Sequence, residues 1–314
     1  MSNSVDYGQY EAKARRKPPG PLYSFVRDVY RFANVEVLHG TILYPYGRMR
    51  HKALLSSANR SQSHTYTVFY RVPAQLNALT GAVIDYLYRD RLAGERLIIN
   101  LFACSSGAEA YTVASMLRKS FPQLDFKIYA SDLHQEMVDK ATAARYSSNE
   151  VLHSDDITDA FIEATFDRDG DDFVVKPEVR SHVVFSQANL LDPSLSSQFQ
   201  PADIVFVQNV LFHLDPASAR KAFENVTQFL KPKSALFVDG ADLDLKVELT
   251  RAAKLDPLDT SHREIYQQTR KHIGAAWWRY YYGAEPYSVF RRDRVRRYST
   301  IYLKGHSKGA QRPD

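Results

Sequence analysis

Short apolar runs alternate with helical patterns through the middle of the chain. The runs RLIIN, FKIYAS and DIVFVQ are mostly apolar, which is typical of buried strands. The pattern predicts strand 96–103, helix 108–120, strand 126–131, helix 134–143, strand 203–208, helix 216–230 and strand 235–239. Repeated strand–helix units indicate the α/β class, with a mostly parallel, doubly wound sheet.

The flanks of this series have other patterns. Residues 22–60 carry helical patterns that are interrupted at Tyr44-Pro45-Tyr46-Gly47, and residues 72–92 predict a helix that leads into the sheet. Asp169-Gly170 is a turn signal typical of a hairpin. The tail YSVFRRDRVRRYSTIYLK predicts a closing pair of strands.

Composition indicates an ordinary globular protein. The chain has 314 residues and is 44% hydrophobic, enough to bury a substantial core. Its one cysteine, Cys104, excludes a disulfide within the chain and is compatible with a reducing cytosol. No apolar run approaches the roughly 20 residues that span a bilayer, and the N-terminal sequence lacks the apolar centre of a signal peptide. We therefore expect a cytoplasmic protein without a membrane partner.

The net charge of +5 does not point to nucleic acid. Basic residues cluster in KARRK near Lys13 and in RRDRVRR at residues 291–297. In the second cluster Arg292, Arg294 and Arg296 alternate, so a strand there would carry arginine along one face. Such a face is typical of a solvated edge strand. Because no recognition motif or interleaved aromatic residues accompany it, a nucleic-acid partner is not expected.

Residues 102–111, FACSSGAEAY, lie between a predicted strand and a predicted helix, where α/β proteins build a cofactor cradle. Asp132 ends the next strand, where a carboxylate can bind a ribose. The loop has one glycine, Gly107, instead of the G-x-G-x-x-G that lets a pyrophosphate approach. Glu109 would repel phosphates and suits a cation. S-adenosylmethionine fits, since it carries a sulfonium, an ammonium and a ribose; the alternative is a structural turn whose acids favour a helix start.

Five motifs in series extend this interpretation to most of the chain. They are TVFYR (Thr67 to Arg71), ACSSGAEAY, ASD, ANLL and QNVLFHLD (Gln208 to Asp215). The series resembles the chemotaxis-receptor glutamate methyltransferases, the CheR family, whose pattern is T-x-F-F-R, A-x-S-x-G-E-E-P-Y-S, A-S/T-D, N-L-L and R-N-V-x-I-Y-F. The resemblance runs from about residue 23 to residue 240. It implies an S-adenosylmethionine-dependent enzyme with the Rossmann-like fold of class I methyltransferases.

The resemblance also implies a division of the chain. We predict an N-terminal helical domain at 20–64 and a methyltransferase domain at 65–305, with a small inserted β hairpin region at about 150–181. The termini at 1–19 and 306–314 are predicted to be loose.

The same motifs carry the predicted cofactor site. By resemblance, Glu109 holds the polar end of S-adenosylmethionine and Asp132 binds its ribose, while Asn189 and Leu190 flank the adenine. Alternative roles are a helix-dipole partner for Glu109 and a helix cap for Asp132. The predicted cofactor-binding residues are Thr65, Thr67, Arg71, Ala103, Gly107, Glu109, Asp132, Asn189, Leu190, Gln208 and Asn209. No metal is predicted.

Arg71 and His213 are the predicted catalytic residues. The arginine that matches Arg71 in the family stands beside the transferable methyl group, where a guanidinium can bind a carboxylate through two hydrogen bonds. The alternative for Arg71 is a salt bridge between domains. The family's arginine and tyrosine are replaced by Gln208 and His213. Histidine can accept a proton, which would permit a hydroxyl or amine acceptor; otherwise His213 only fills the place of the tyrosine.

We therefore predict a methyltransferase with a specialised acceptor, a carboxylate, hydroxyl or amine of a small metabolite. The first alternative is methylation of a glutamate in a chemoreceptor-like protein. The second is a non-catalytic sensor or scaffold that binds the cofactor. The aromatic residues within 277–282 are either a wall over the substrate or part of the core. The sequence leaves the oligomeric state open.

Overall fold

A computed structural model describes residues 21–57, 67–88, 95–152, 156–271 and 285–305. Its strands are β1 (Leu97–Phe102), β2 (Phe126–Asp132), β3 (Arg145–Ser147), β4 (Phe166–Asp169), β5 (Asp172–Val175), β6 (Val183–Gln187), β7 (Ala202–Gln208), β8 (Leu230–Asp239), β9 (Asp256–Pro257) and β10 (Ile301–Lys304). Seven of them form one sheet in the order β6-β2-β1-β7-β8-β10-β9. Strands β6, β2, β1, β7 and β8 run parallel, and β10 is antiparallel to both β8 and β9. The predicted α/β class is confirmed.

The central strand β1 shows why the sheet is covered on both faces. All six of its residues are buried. Ile99 and Leu101 belong to one hydrophobic cluster and Ile98 and Phe102 to another, in agreement with the alternation of side chains along a strand. Both clusters continue into the helices that flank the sheet, so the fold is doubly wound.

The helices agree with the predicted alternation, with shifts at their ends. They are α1 (Pro21–Arg31), α2 (Tyr44–Ser57), α3 (Pro73–Ala78), α4 (Ile84–Tyr88), α5 (Ala108–Ser120), α6 (Gln135–Ala143), α7 (Ser148–Val151), α8 (Asp159–Thr165), α9 (Pro177–Arg180), α10 (Leu195–Gln198), α11 (Pro216–Thr227), α12 (Leu243–Ala252), α13 (His262–Thr269) and α14 (Arg294–Tyr298). π-Helical segments cover Phe32–Ile42 and Leu79–Val83. Asp215 caps α11 by accepting hydrogen bonds from the backbone N–H groups of Ala217 and Ser218 at 2.9 and 3.1 Å.

A second, three-stranded sheet has the order β3-β5-β4. Strands β4 and β5 form the predicted hairpin, and Gly170 in its turn has the left-handed φ of 62° that favours glycine. The hairpin is therefore confirmed. The division into domains stays a prediction.

The tail differs from the predicted pair of strands. Only β10 is a strand there, and most of the basic cluster lies in α14. Arg297 on α14 is buried, at 1% exposure, and forms ion pairs with Glu285 and Asp244. The prediction of an arginine-lined strand face was therefore wrong, because the helix turns Arg297 inward onto two carboxylates that are distant in sequence.

The N-terminal helices contact the rest of the chain through polar groups. Arg31 donates to the backbone carbonyl of Lys271 at 2.5 Å, and the Tyr44 hydroxyl donates to Glu285 at 2.9 Å. The predicted interruption near Tyr44 is present but shifted: one helical segment ends at Ile42, Leu43 forms a bend, and α2 begins at Tyr44. Within the described ranges, no helix combines the length and the apolar character that crossing a membrane requires. The cytoplasmic location stays a prediction.

Candidate cofactor and acceptor site

A cavity of about 350 Å³ opens at the carboxyl ends of the parallel strands. Its walls follow β1, β2, β6 and β7, with residues 67–76 on one side. The predicted site residues that line it are Thr67, Arg71, Ala103, Glu109, Asp132, Asn189, Leu190, Gln208, Asn209 and His213. The fold thus brings together motifs that are far apart in sequence, at the place where α/β sheets bind ligands.

The loops around this cavity carry unusual backbone conformations. Tyr70, Ala103, Ser105 and Asn209 all have left-handed φ angles, of 54°, 58°, 49° and 54°. A residue with a side chain in this region is strained by about 1–3 kcal/mol, so surrounding contacts must hold it there. Strained residues of this kind concentrate at ligand sites, which supports the same location.

Asp132 joins two of these loops. Its side chain is 7% exposed; Oδ2 accepts a hydrogen bond from the Ser105 N–H at 2.7 Å and Oδ1 accepts one from the His134 N–H at 3.0 Å. The carboxylate is therefore partnered even without a ligand. An ionised carboxylate has about four acceptor sites, so Asp132 can accept further hydrogen bonds from a ligand in the cavity that it lines.

Glu109 lies in the first turn of α5, and its Oε1 accepts a hydrogen bond from the Gln208 side-chain amide at 2.7 Å. Burial raises the pKa of Glu109 from 4.5 to about 7; the positive charge of Arg71 opposes the rise, and the negative charge of Asp239 adds to it. The sequence predicted Glu109 as a cofactor-binding residue but did not predict its hydrogen bond with Gln208. Gln208 lies where the family pattern has arginine.

Asn189 and Leu190 follow β6. The Asn189 Oδ1 accepts from the Leu191 N–H at 2.9 Å, and the Leu190 carbonyl accepts from the Asn225 side chain at 2.7 Å. The buried Asn225 on α11 therefore holds this loop in position. Sequence reasoning missed this residue, because a helical asparagine carries no signal of a distant backbone partner.

Gly107 is the predicted site residue that does not line the cavity. It caps α5 with φ of 86°, and a Cβ atom there would lie 2.9 Å from the Ala141 Cβ and 3.0 Å from the Phe185 ring. The glycine thus allows α6 and β6 to pack closely against the loop. Thr65 and the aromatic segment 277–282 lie outside the described residues.

Arg71 and His213 both line the cavity, and His213 follows β7 in the chain. Arg71 is exposed, and its guanidinium makes no hydrogen bond or ion pair with any residue in the described ranges. The alternative of a salt bridge between domains therefore finds no partner within those ranges. His213 ends a 3-10 turn, Leu211–His213, and its ring packs on Phe212 at a centroid distance of 3.9 Å.

The cavity has further lining residues that sequence reasoning missed. Two of them are Ser105 and His134, whose backbone N–H groups donate hydrogen bonds to Asp132. The others are Val68, Val72, Gln75, Leu76, Thr112, Leu133, Ala188, Leu191, Val210 and Leu214. Most lie next to a motif residue in sequence, so proximity to Arg71, Asn189 and Asn209 was the signal that could have found them.

These groups fit S-adenosylmethionine better than a phosphorylated cofactor. Two carboxylates, Glu109 and Asp132, line the cavity, and Arg71 is the one arginine or lysine among the lining residues that the structure describes. That balance suits a cation with a ribose and would repel a pyrophosphate. Among the described residues no group of three or more histidine, cysteine, aspartate or glutamate side chains could hold a metal ion.

Comparison with known proteins agrees with this fit. Residues 65–254 match the family described as "CheR methyltransferase, SAM binding domain". Chemotaxis protein methyltransferase 2 of Vibrio cholerae is 30% identical over 176 residues, 55% of this chain and 60% of that protein. The "Probable biofilm formation methyltransferase WspC" of Pseudomonas aeruginosa is 27% identical over 181 residues, 57% of this chain and 42% of that protein.

An uncharacterised 104.1 kDa protein of Rhodobacter capsulatus is 27% identical over 199 residues, 62% of this chain and 20% of that protein. The chain thus matches between 20% and 60% of the length of these three relatives. The family match covers more than half of the chain, and it confirms the predicted cofactor, S-adenosylmethionine. The chain belongs to the CheR family of S-adenosylmethionine-dependent methyltransferases.

Proposed function

We propose that this protein transfers the methyl group of S-adenosylmethionine to a carboxylate of a small organic acid and so forms a methyl ester. The observation that supports this acceptor is Arg71, a cavity-lining guanidinium without a hydrogen-bond or ion-pair partner among the described residues. A guanidinium matches a carboxylate in shape and charge, and two parallel hydrogen bonds fix its orientation.

The cofactor occupies the carboxyl ends of β1, β2 and β6 in this proposal. Asp132 accepts hydrogen bonds from the ribose, Glu109 pairs with the ammonium group, and Asn189 and Leu190 flank the adenine. Bound there, S-adenosylmethionine supplies a methyl group on a positively charged sulfur. The other residues proposed to form the cofactor site, by direct contact or by holding its loops, are Thr65, Thr67, Ala103, Gly107, Gln208 and Asn209.

Arg71 acts on the acceptor by orientation. A carboxylate is ionised near neutral pH, so the transfer needs no base. Arg71 holds one carboxylate oxygen toward the methyl group, and orientation of this kind can contribute up to about 7–11 kcal/mol to lowering a barrier. His213 lines the same end and adds positive charge when it is protonated. A hydroxyl or amine acceptor would instead require His213 as a base.

A second candidate acceptor is a glutamate side chain of a chemoreceptor-like protein. It is favoured by the names of relatives, such as Chemotaxis protein methyltransferase 2 of Vibrio cholerae. The chemistry at Arg71 would be the same, since both acceptors present a carboxylate. A third candidate is a sensor that binds the cofactor without transferring the methyl group.

One labelling experiment separates these candidates. The purified protein is incubated with methyl-labelled S-adenosylmethionine and either small acids or chemoreceptor cytoplasmic fragments, and the products are treated with base. Methyl esters release labelled methanol, whereas methyl ethers and methylamines do not. Base-labile label in the small-molecule fraction supports the proposal, and the same label on protein supports the second candidate. Base-stable label contradicts a carboxylate acceptor, and cofactor binding without any transfer supports the sensor.

Substitution of Arg71 tests its role separately from binding of the cofactor. We expect Arg71→Ala to lower kcat/KM for the acceptor at least 100-fold, about 2.7 kcal/mol, while the Kd for S-adenosylmethionine changes less than threefold. Arg251→Ala is the control, since Arg251 is exposed on α12 and does not line the cavity. Equal losses of cofactor affinity and of turnover would indicate that Arg71 binds the cofactor and not the acceptor.

A further inference from the structure

The end of the cavity that holds Arg71 also has an aliphatic wall. Its members come from two segments that are far apart in sequence, and they are Val68, Val72, Leu76, Val210 and Leu214. Leu76 is one turn beyond Val72 and its N–H donates to the Val72 carbonyl at 3.1 Å, so both side chains lie on the same side of α3. Val210 and Leu214 flank the 3-10 turn that carries His213. We call these five residues the aliphatic wall.

The topology separates this wall from the predicted cofactor contacts. In the sheet, β2 and β6 lie on one side of β1, and β7, β8 and β10 lie on the other. Asp132 and Asn189 follow β2 and β6, whereas Val210 and Leu214 follow β7. Val210 and Leu214 therefore stand on the opposite side of β1 from Asp132 and Asn189.

The start of α3 is fixed on the β10 side as well. The Ala74 N–H donates to the Gln268 side chain at 2.9 Å, and the Gln75 side chain donates to the Thr300 hydroxyl at 2.8 Å. Thr300 directly precedes β10. Because these contacts hold α3 beside β10, Val72 and Leu76 belong to the same end of the cavity as Val210 and Leu214.

Several members of the aliphatic wall are not sealed in the core. Val68, Val210 and Leu214 are only half-buried, whereas the neighbouring Phe69 is 1% exposed. An apolar surface that lines an open cavity gains free energy when a ligand covers it, by about 25 cal/mol for each Å² removed from water. Arg71, which directly precedes Val72 in the chain, lines the same cavity. The end of the cavity thus combines one cation with an apolar surface.

We infer that the acceptor is a monocarboxylic acid with an apolar body, bound with its carboxylate on Arg71 and its body on the aliphatic wall. This inference rests on the proposed carboxylate methyltransferase function and specifies its substrate class. A second carboxylate, or the polar side chains around a glutamate on a protein surface, would have to be desolvated against the aliphatic wall, which is unfavourable.

The chemistry balances without any further reactant. One carboxylate oxygen of the acid forms the new O–C bond, the S–C bond of the cofactor breaks, and its electron pair remains on sulfur. No proton moves, and an anion and a cation are converted into two uncharged groups at the reacting centre. The ester no longer carries the charge that attracts Arg71, which favours its release.

Calorimetric titration of the full chain saturated with S-adenosylhomocysteine tests the inference without relying on turnover. The probes are hexanoate and phenylacetate as apolar acids, and glutarate and a glutamate-containing peptide as polar ones. We expect the better of the two apolar acids to bind at least tenfold more tightly than either polar probe. Binding of the peptide or of glutarate as tight as that of the apolar acids overturns the inference.

Two variants locate the binding surface. Leu76→Asn and Leu214→Asn are expected to weaken binding of the apolar acid at least tenfold while the Kd for S-adenosylhomocysteine changes less than threefold. Val184→Asn, on the exposed side of β6 and away from the cavity, is the matched control and should change neither. Unchanged acid affinity in both leucine variants overturns the inference.

Failure of the inference is distinguishable from failure of the proposed function. If S-adenosylhomocysteine does not bind, the proposed function and the inference both fall. If it binds, and base-labile label appears on a polar acid or on a protein but not on the apolar acids, the methyltransferase stands and only the substrate class is overturned.

Discussion

The side-chain amide of Gln208 donates a hydrogen bond to the carboxylate of Glu109 at 2.7 Å. In the family pattern this position is an arginine, whose charge would keep a neighbouring carboxylate ionised. The neutral amide cannot do so, and burial therefore raises the pKa of Glu109 to about 7. The charge of a residue that we propose to contact the cofactor thus changes within the physiological pH range.

Cofactor affinity should follow the ionisation of Glu109. If the carboxylate pairs with the ammonium of S-adenosylmethionine, the affinity is low well below pH 7 and rises as the pH approaches about 7. We expect roughly tenfold weaker binding at pH 5.5 than at pH 7.0, a range that lies below the α-amino pKa of about 7.7–8.0. Calorimetric titration at several pH values measures it.

The Glu109→Gln variant should show no such dependence. In Gln208→Arg, the new cation lowers the pKa of Glu109, so the rise in affinity should move to lower pH. Wild-type affinity that stays constant between pH 5.5 and 7.0 would contradict the pairing of Glu109 with the ammonium.

Stability of the ligand-free protein should depend on pH in the opposite direction. The pKa of Glu109 is about 7 in the folded state, against 4.5 for the unperturbed group, so between these values the folded state binds more protons than the unfolded state. The free energy of unfolding therefore falls as pH rises from about 4.5 to about 7. The Glu109→Gln variant lacks this contribution. Urea denaturation of wild type and variant at pH 5 and pH 8 measures whether the stability of wild type relative to the variant falls between the two pH values, as expected. A variant that is less stable than wild type at pH 8 but not at pH 5 would contradict it.

The sequence predicted what depends on local pattern. Strand β1 and helix α5 follow from apolar periodicity, and the cavity follows from motifs at strand ends. What it could not predict depends on contacts between distant residues, as with Arg297, whose burial is compensated by carboxylates 12 and 53 positions away. The hydrogen bond from the Ser105 N–H to Asp132 was likewise not foreseen, because it requires the left-handed backbone at Ser105.

Asp132 should contribute both to holding the backbone at Ser105 and His134 and to binding the ligand. In Asp132→Asn, one acceptor oxygen becomes an NH₂ group that faces a backbone N–H, either that of Ser105 or that of His134. Loss of one charge-assisted hydrogen bond to the ribose costs about 1.5–3 kcal/mol, so we expect the Kd for S-adenosylmethionine to rise roughly 10- to 100-fold. Asp139→Asn, an exposed acid on α6, should bind as wild type does. Wild-type affinity in Asp132→Asn would refute the ribose contact.

Substitution of His213 distinguishes a carboxylate acceptor from a hydroxyl or amine acceptor. A carboxylate needs no base, so His213→Phe should change the KM for the acid more than kcat. Steady-state rates between pH 5.5 and 8.5 measure both parameters. If instead wild-type kcat falls at low pH and the variant lacks this fall, His213 is a base and the acceptor is a hydroxyl or an amine.

Arg297 should be required for stability and not for binding of the cofactor. Its guanidinium is 1% exposed, pairs with Asp244 at 2.6 Å and donates to Glu285, which also accepts from Tyr44 of the N-terminal helices. Arg297→Met leaves Glu285 buried without this partner, and removing one member of a buried ion pair costs about 3–5 kcal/mol.

Urea denaturation followed by circular dichroism measures this loss. Arg292→Met is the control, because Arg292 is exposed in the same segment and should change stability by no more than about 0.5 kcal/mol. Adding Glu285→Gln to Arg297→Met removes the uncompensated charge and should restore part of the loss. Equal stability of the two arginine variants would mean that the ion pairs of Arg297 contribute no more than a solvated surface charge.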